Sequence, residues 1–100
     1  MKKIVLMCAQ GMSTGVLVNK MREAAAKEGY DCTIEAHAVA QAHEYADKAD
    51  VILLGPQVRL DLDEVTAQCP NVPTAVIDMM AYGRMDGAKV IKQAKSLMGD

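Results

Sequence analysis

Apolar residues recur along this chain in two rhythms, and the alternation of the rhythms is itself informative. "KIVLM", residues 3–7, is an unbroken apolar run led by β-branched side chains, the pattern of a strand buried on both faces. From Gly15 to about Glu28 the rhythm becomes helical, with Leu17, Met21, Ala24 and Ala25 on one face. Gly29 offers a left-handed stop, and Lys27 sits in the last turn, where a cation complements the helix dipole. "CTIEAHA", residues 32–38, alternates: Cys32, Ile34, Ala36 and Ala38 on one side, Thr33, Glu35 and His37 on the other. A polar second face predicts an edge strand. Residues 40–48 read as a short, polar, Ala-rich helix. "DVILLG" is a third, buried strand closed by Gly55-Pro56. From about Leu60 to Gln68 a helix would place Leu62, Val65 and Cys69 together before Pro70 ends it. "TAVID" is the fourth strand, and Asp86 is a candidate N-cap for a last helix with Val90, Ile91, Ala94, Leu97 and Met98 inward.

Four strands alternating with helices imply parallel pairing through right-handed crossovers. The expected fold is an α/β three-layer sandwich, its four-stranded parallel sheet in the order 2-1-3-4, flavodoxin-like. In such sheets a ligand binds outside the carboxyl ends of the strands, where the strand order reverses. That geometry gathers Cys8 after strand 1, Gly55-Pro56-Gln57 after strand 3 and Asp78 after strand 4 on one rim.

Composition narrows the classes. The 100 residues fit one domain, spanning 1–100, and 51% of them are apolar, so a packed core is expected. With three tyrosines and no Trp or Phe, that core must be built from Val, Ile, Leu, Met and Ala. A formal charge of -2 without a Lys/Arg block argues against nucleic acid as a partner. Lys2 and Lys3 lead an apolar run too short for a signal peptide, and no stretch approaches the roughly 20 apolar residues that insert across a bilayer. Cys8, Cys32 and Cys69 are odd in number and widely spaced, as in a cytoplasmic chain with reduced thiols. His37 and His43, six apart across a strand–helix junction, present no metal-binding face, and no cofactor motif is found.

The chemistry concentrates in "MCAQGMSTGVLV". Cys8 closes a strand just ahead of a helix N-terminus, where unpaired N–H groups and the dipole favour an anion. Such a setting favours the thiolate. Residues Ala9, Gln10, Gly11, Met12, Ser13, Thr14 and Gly15 form a small-residue turn able to bring several N–H groups around a tetrahedral oxyanion, with hydroxyls from Ser13 and Thr14. A thiolate in a phosphate cradle is equipped to carry a phosphoryl group. The plain alternative is a small buried thiol that only packs.

"CAQGMSTGVLVNKMR", "ADVILLGPQV" and "VIDMMAYGRMDG" together resemble the IIB components of the bacterial phosphotransferase system, in the lactose/cellobiose/chitobiose group. The resemblance runs the length of the chain. It implies that Cys8 accepts a phosphoryl group from a phosphohistidine on a IIA protein and passes it to a sugar held by a membrane IIC permease. The phosphate-binding loop then falls on Ala9 to Gly15. Gln57, Asp78 and Tyr82 match other family motifs and stand as rim residues without assigned chemistry. Neither metal nor cofactor is required. The rival is a hydrolase of the low-molecular-weight tyrosine phosphatase or arsenate reductase type, whose fold is similar. Its loop needs an arginine six residues after the cysteine as a planar phosphate clamp, and that position is Thr14. Asp78 resembles that enzyme's general acid by location alone.

Overall fold

The structure is a computed structural model that describes residues 1–9 and 14–100. Its elements are β1 (Lys2–Cys8), α1 (Gly15–Glu28), β2 (Cys32–Ala38), a 3-10 helix (Val39–Tyr45), β3 (Val51–Leu54), a second 3-10 helix (Pro56–Asp61), α2 (Leu62–Gln68), β4 (Thr74–Val76), α3 (Met79–Gly83) and α4 (Gly87–Met98). The four strands form one parallel sheet in the order β2-β1-β3-β4. The registers Cys8 with Ala38, Met7 with Leu54 and Leu54 with Val76 align the carboxyl ends.

Strand alternation sorts the core into two layers. Ile4, Leu6, Val51 and Leu53 face α1 and α4, packing with Leu17, Met21, Val90, Ile91 and Ala94. Val5, Met7, Ile52 and Leu54 face the other way, onto Ala42, Val58, Val65, Cys69 and Val72. Ile4 through Met7 and Val51 through Leu54 have no exposed surface, as their unbroken apolar runs require. Each such side chain removed from water contributes about 1.5–3 kcal/mol. β2 lies at an edge, with Thr33 exposed and Ile34 its one buried residue.

The predicted caps are in place. Gly29 ends α1 at φ 71, donating its N–H to the last-turn carbonyls, and the Asp86 carboxylate accepts from Lys89 N at 3.1 Å to start α4. Three segments differ from expectation. The segment after β2 winds as a 3-10 helix, because only Ala42 anchors it inward and the tighter turn suits a short, weakly amphipathic piece. The helix expected from Leu60 starts at Leu62, preceded by the 3-10 turns after Pro56. The fourth strand ends at Val76 rather than Asp78, and the chain turns into α3, where a turn around Tyr82 and Gly83 is expected from sequence. Asp78 causes that difference: its carboxylate accepts from Ala81 N at 3.0 Å and nucleates the short helix.

Candidate functional site

Cys8 is the last residue of β1 and is 1% exposed. Thr14 lies beside it, wholly buried, its hydroxyl donating to the Cys8 sulfur at 3.9 Å. Thr14 also precedes α1, and its carbonyl accepts the helix's opening bond from Val18 N at 2.9 Å. A threonine there ordinarily turns its hydroxyl onto the helix's own free N–H groups. Here it makes no such cap, and its hydroxyl goes to the sulfur. Among the described residues, no acidic side chain occupies the first turn of α1. The amino end of that helix thus retains its preference for negative charge.

The other two thiols live differently. Burial, then Asp31 and Glu28, pushes the Cys32 thiol above its ordinary value. Burial, then Asp47, does the same to Cys69, whose S–H donates to the Ala42 carbonyl at 3.3 Å. Both shifts disfavour the thiolate, the nucleophilic form of a cysteine.

Two of the expected rim residues, Gln57 and Tyr82, meet beside the end of β3. Gly55 N donates to the Met7 carbonyl at 2.8 Å, which fixes the end of β3 against the residue preceding Cys8. Over Gly55 fold two side chains: a Cβ placed there would lie 2.7 Å from Gln57 Oε1 and 3.7 Å from Tyr82 Cε2. Gln57 Nε2 in turn donates to the Tyr82 hydroxyl at 2.9 Å. Two motifs 25 residues apart therefore meet directly. Asp78 contributes from further back. Its carboxylate caps α3, the helix that carries Tyr82, and its carbonyl accepts from Tyr82 N at 2.9 Å. It also lines a 470 Å³ groove with Lys89, Lys92 and Gln93. The carboxylate is thus engaged in holding backbone, a task unlike that of a proton donor.

Gln93 carries no signal in the sequence reading, yet it pins this corner. Its amide donates to the Val76 carbonyl at 2.9 Å, and its oxygen accepts from Asp78 N at 3.1 Å. One side chain of α4 thereby satisfies the backbone where the chain leaves the sheet. A glutamine on a helix is common, so only the three-dimensional pairing reveals it. Gln10, Gly11, Met12 and Ser13, the centre of the expected loop, lie outside the described residues, whereas Ala9 is exposed and Gly15 opens α1.

Exposed large apolar residues fall in the segments that follow three of the strands. Val16 is the second residue of α1, Leu60 follows β3, and Met79 and Met80 follow β4 in α3. Leu60 is 90% exposed. Apart from Met1, these are the large apolar side chains exposed among the described residues. His37 bridges Glu35 at 2.8 Å and Tyr45 at 3.0 Å, and no group of three His, Cys, Asp or Glu among the described residues is placed to hold a metal. No helix among them is long and apolar enough to cross a membrane.

Comparison with known proteins gives this arrangement a family. The family described as "PTS system, Lactose/Cellobiose specific IIB subunit" matches residues 3–93. An oligo-beta-mannoside-specific EIIB component of the phosphotransferase system of Bacillus subtilis is 46% identical, over 98% of this chain and 97% of its own. A galactose-specific EIIB component from Lactococcus lactis is also 46% identical, over 97% of this chain and 96% of its own. The solution structure of a cellobiose-specific phosphotransferase IIB component from Borrelia burgdorferi superposes with a TM-score of 0.82 at 33% identity, covering 98% of this chain and 92% of that one. With its parallel 2-1-3-4 sheet, its cysteine at the end of β1 and these relatives over nearly its full length, the chain belongs to the lactose/cellobiose-specific IIB family of the sugar phosphotransferase system.

Proposed function

We propose that this protein is a cytoplasmic phosphoryl carrier in sugar uptake, with Cys8 as the group that is phosphorylated. In the first step the Cys8 thiolate attacks phosphorus on a phosphohistidine of a IIA protein. The S–P bond forms, the P–N bond breaks, and its electron pair leaves with the imidazole. In the second step a hydroxyl of a sugar held by a membrane IIC permease attacks the phosphocysteine. The S–P bond breaks, sulfur regains the pair as thiolate, and the hydroxyl proton passes to a base on the permease side. Both displacements depend on positioning and charge stabilisation, and neither requires a metal or cofactor.

The observation that carries the reading is the environment of the three thiols. Cys8 ends a strand at the amino end of α1 with a hydroxyl directed at its sulfur, whereas Cys32 stands near Asp31 and Glu28 and Cys69 near Asp47, acids that disfavour a thiolate. The loop from Ala9 to Gly15 would cradle the phosphoryl oxygens. Val16, Leu60, Met79 and Met80, exposed in segments that follow β1, β3 and β4, offer apolar surface to protein partners. Position 14 supports transfer over hydrolysis, since Thr14 supplies a hydroxyl where a phosphatase of this fold needs a guanidinium. Relatives of equal identity serve different sugars by name, oligo-beta-mannosides and galactose, which fits a carrier whose sugar is chosen by the permease. We assign the cargo to β-linked disaccharides of the cellobiose or chitobiose kind.

The test is labelling with phosphorylated IIA. One thiol-linked phosphate per chain is expected, with Cys32→Ser and Cys69→Ser labelled as the parent and Cys8→Ser unlabelled. Full labelling of Cys8→Ser would overturn the assignment.

A further inference from the structure

We propose that the Thr14 hydroxyl serves the sulfur of Cys8 rather than the phosphoryl group: it donates to the thiolate and so stabilises the charge that returns to sulfur each time the phosphoryl group leaves. The proposal rests on the phosphocysteine reading above and adds a catalytic residue to it, together with the half of the cycle in which that residue acts.

Two of the thiols differ in the direction of their hydrogen bonds. Cys69 gives its proton, donating to the Ala42 carbonyl at 3.3 Å. That bond needs the protonated thiol and is lost with the proton. Cys8 receives instead, its sulfur accepting from the Thr14 hydroxyl at 3.9 Å. A bond received by sulfur strengthens when the sulfur is charged, so it favours the thiolate. Both partners are out of water, Thr14 wholly and Cys8 with 1% exposed. Solvent does not compete for the bond, and the low dielectric strengthens it. A thiolate sulfur accepts from more than one donor, and Thr14 supplies one of them.

The start of α1 fixes where the hydroxyl points. The Thr14 carbonyl accepts from Val18 N at 2.9 Å, which anchors the residue's backbone to the helix. Its β-branched side chain then has few rotamers open to it. Thr14 is the one polar residue fully buried among those described, and a buried hydroxyl must find a partner. The helix forgoes a side-chain cap at this residue, and the hydroxyl goes to sulfur.

The benefit falls on the departing sulfur. When a sugar oxygen attacks phosphorus, the S–P bond breaks and its electron pair returns to sulfur. In phosphocysteine that sulfur is uncharged and a weak acceptor. It becomes a strong one as the S–P bond lengthens. The Thr14 bond is therefore stronger in the transition state than before it, which is the condition for speeding the step. In the first step the same donor keeps the thiolate populated for attack on phosphohistidine. Thr14 touches the reacting atom, so its part is catalytic.

The experiment uses the full chain with Cys8 intact and compares Thr14→Val, which keeps the shape and loses the hydroxyl, with Thr14→Ser, which keeps the hydroxyl. The carbon-13 NMR titration of Cys8 Cβ is read first and needs no phosphorylation. Thr14→Val should slow no folding step required for this reading, and its thermal midpoint is recorded alongside. Its thiol pKa should rise by about 0.5–1, the equivalent of about three- to tenfold for one lost hydrogen bond. The equilibrium of phosphoryl exchange with IIA is read next, above the thiol's titration. Losing a donor to the thiolate should shift it by the same factor toward phospho-Cys8, and single-turnover transfer to sugar on the permease should slow. A hydroxyl that held the phosphoryl group would shift the exchange the other way, toward phospho-IIA. Thr14→Ser should recover most of each change.

An unmoved Cys8 titration in Thr14→Val, a shift toward phospho-IIA, or a Thr14→Ser protein as altered as Thr14→Val overturns the proposal. Absence of any Cys8 phosphate on the parent chain would instead overturn the carrier reading, while the titration still judges the bond between hydroxyl and thiolate.

Discussion

Gly87→Ala should destabilise this protein although alanine is the better helix former. Gly87 is buried at the start of α4, where that helix crosses α1. A Cβ there would lie 2.6 Å from Met21 N and would overlap the Lys20 carbonyl carbon and oxygen. All three atoms are backbone, so no side chain can swing aside. Ordinary contact begins near 3.4 Å, and α4 would have to retreat by about 0.8 Å or more. The retreat opens the packing of Val90, Ile91 and Ala94 on Leu17 and Met21. Overpacking of this kind costs about 1–3 kcal/mol. Stiffening the unfolded chain returns about 0.4–1 kcal/mol. The net loss is about 1–2 kcal/mol, or a fall of roughly 5–15 °C in Tm for a domain of this size. Calorimetry or urea unfolding reads it directly. Gly83→Ala is the matched control, since a Cβ at Gly83 meets nothing within 4 Å, and it should be neutral or slightly stabilising. A Gly87→Ala protein at least as stable as its parent would refute the close-approach argument.

Other expectations follow from particular contacts. Asp78→Ala removes the N-cap of α3 and should cost about 1 kcal/mol in urea unfolding, with Asp78→Asn recovering most of it. Burial, then the hydrogen bond to Asp100, raises the Tyr30 phenol above its ordinary value of 10.0, so its contribution to stability is complete below that pH and is lost as pH climbs through the raised value. Tyr30→Phe should therefore lessen the alkaline fall in stability measured by urea unfolding, with Tyr45, also raised by burial, accounting for part of what remains. Phospho-Cys8 should persist without a permease, and p-nitrophenyl phosphate should be turned over poorly. An arginine at a phosphoryl transition state is worth about 10³–10⁵ in rate elsewhere, and position 14 has none. Fast, Cys8-dependent turnover would contradict that.

The sheet was legible in the sequence because burial on both faces leaves an unbroken apolar run, as in Ile4 to Met7 and Val51 to Leu54. The caps at Gly29 and Asp86 were legible because their chemistry is local. Short helical pieces were not. α3 has five residues, two of them exposed methionines, and no periodicity can be read over one turn. Its one local signal is Asp78, three residues before Ala81 N, and the apolar run ahead of it points instead to a strand that continues through Asp78. Topology points Cys8, Gln57 and Asp78 to one rim, and Tyr82 joins them only through the family resemblance. The bond between Gln57 and Tyr82, the two-ended grip of Gln93 and the Thr14 hydroxyl on sulfur depend on side-chain directions that topology does not specify.

The burial of β1 between two dissimilar layers bears on how the chain comes apart. Ile4 and Leu6 belong to the layer under α1 and α4, and Val5 and Met7 belong to the layer under α2 and the 3-10 turns. Neither layer can melt alone without exposing one face of the strand that the other layer still grips. Amide exchange from Ile4 to Met7 should thus proceed only through global unfolding, at rates common to the strand. Fraying belongs to the short β4 edge and the termini. A sulfur mounted on the last residue of a strand gripped on both faces is held by the whole cooperative unit, so partial opening elsewhere in the molecule should leave its position unchanged.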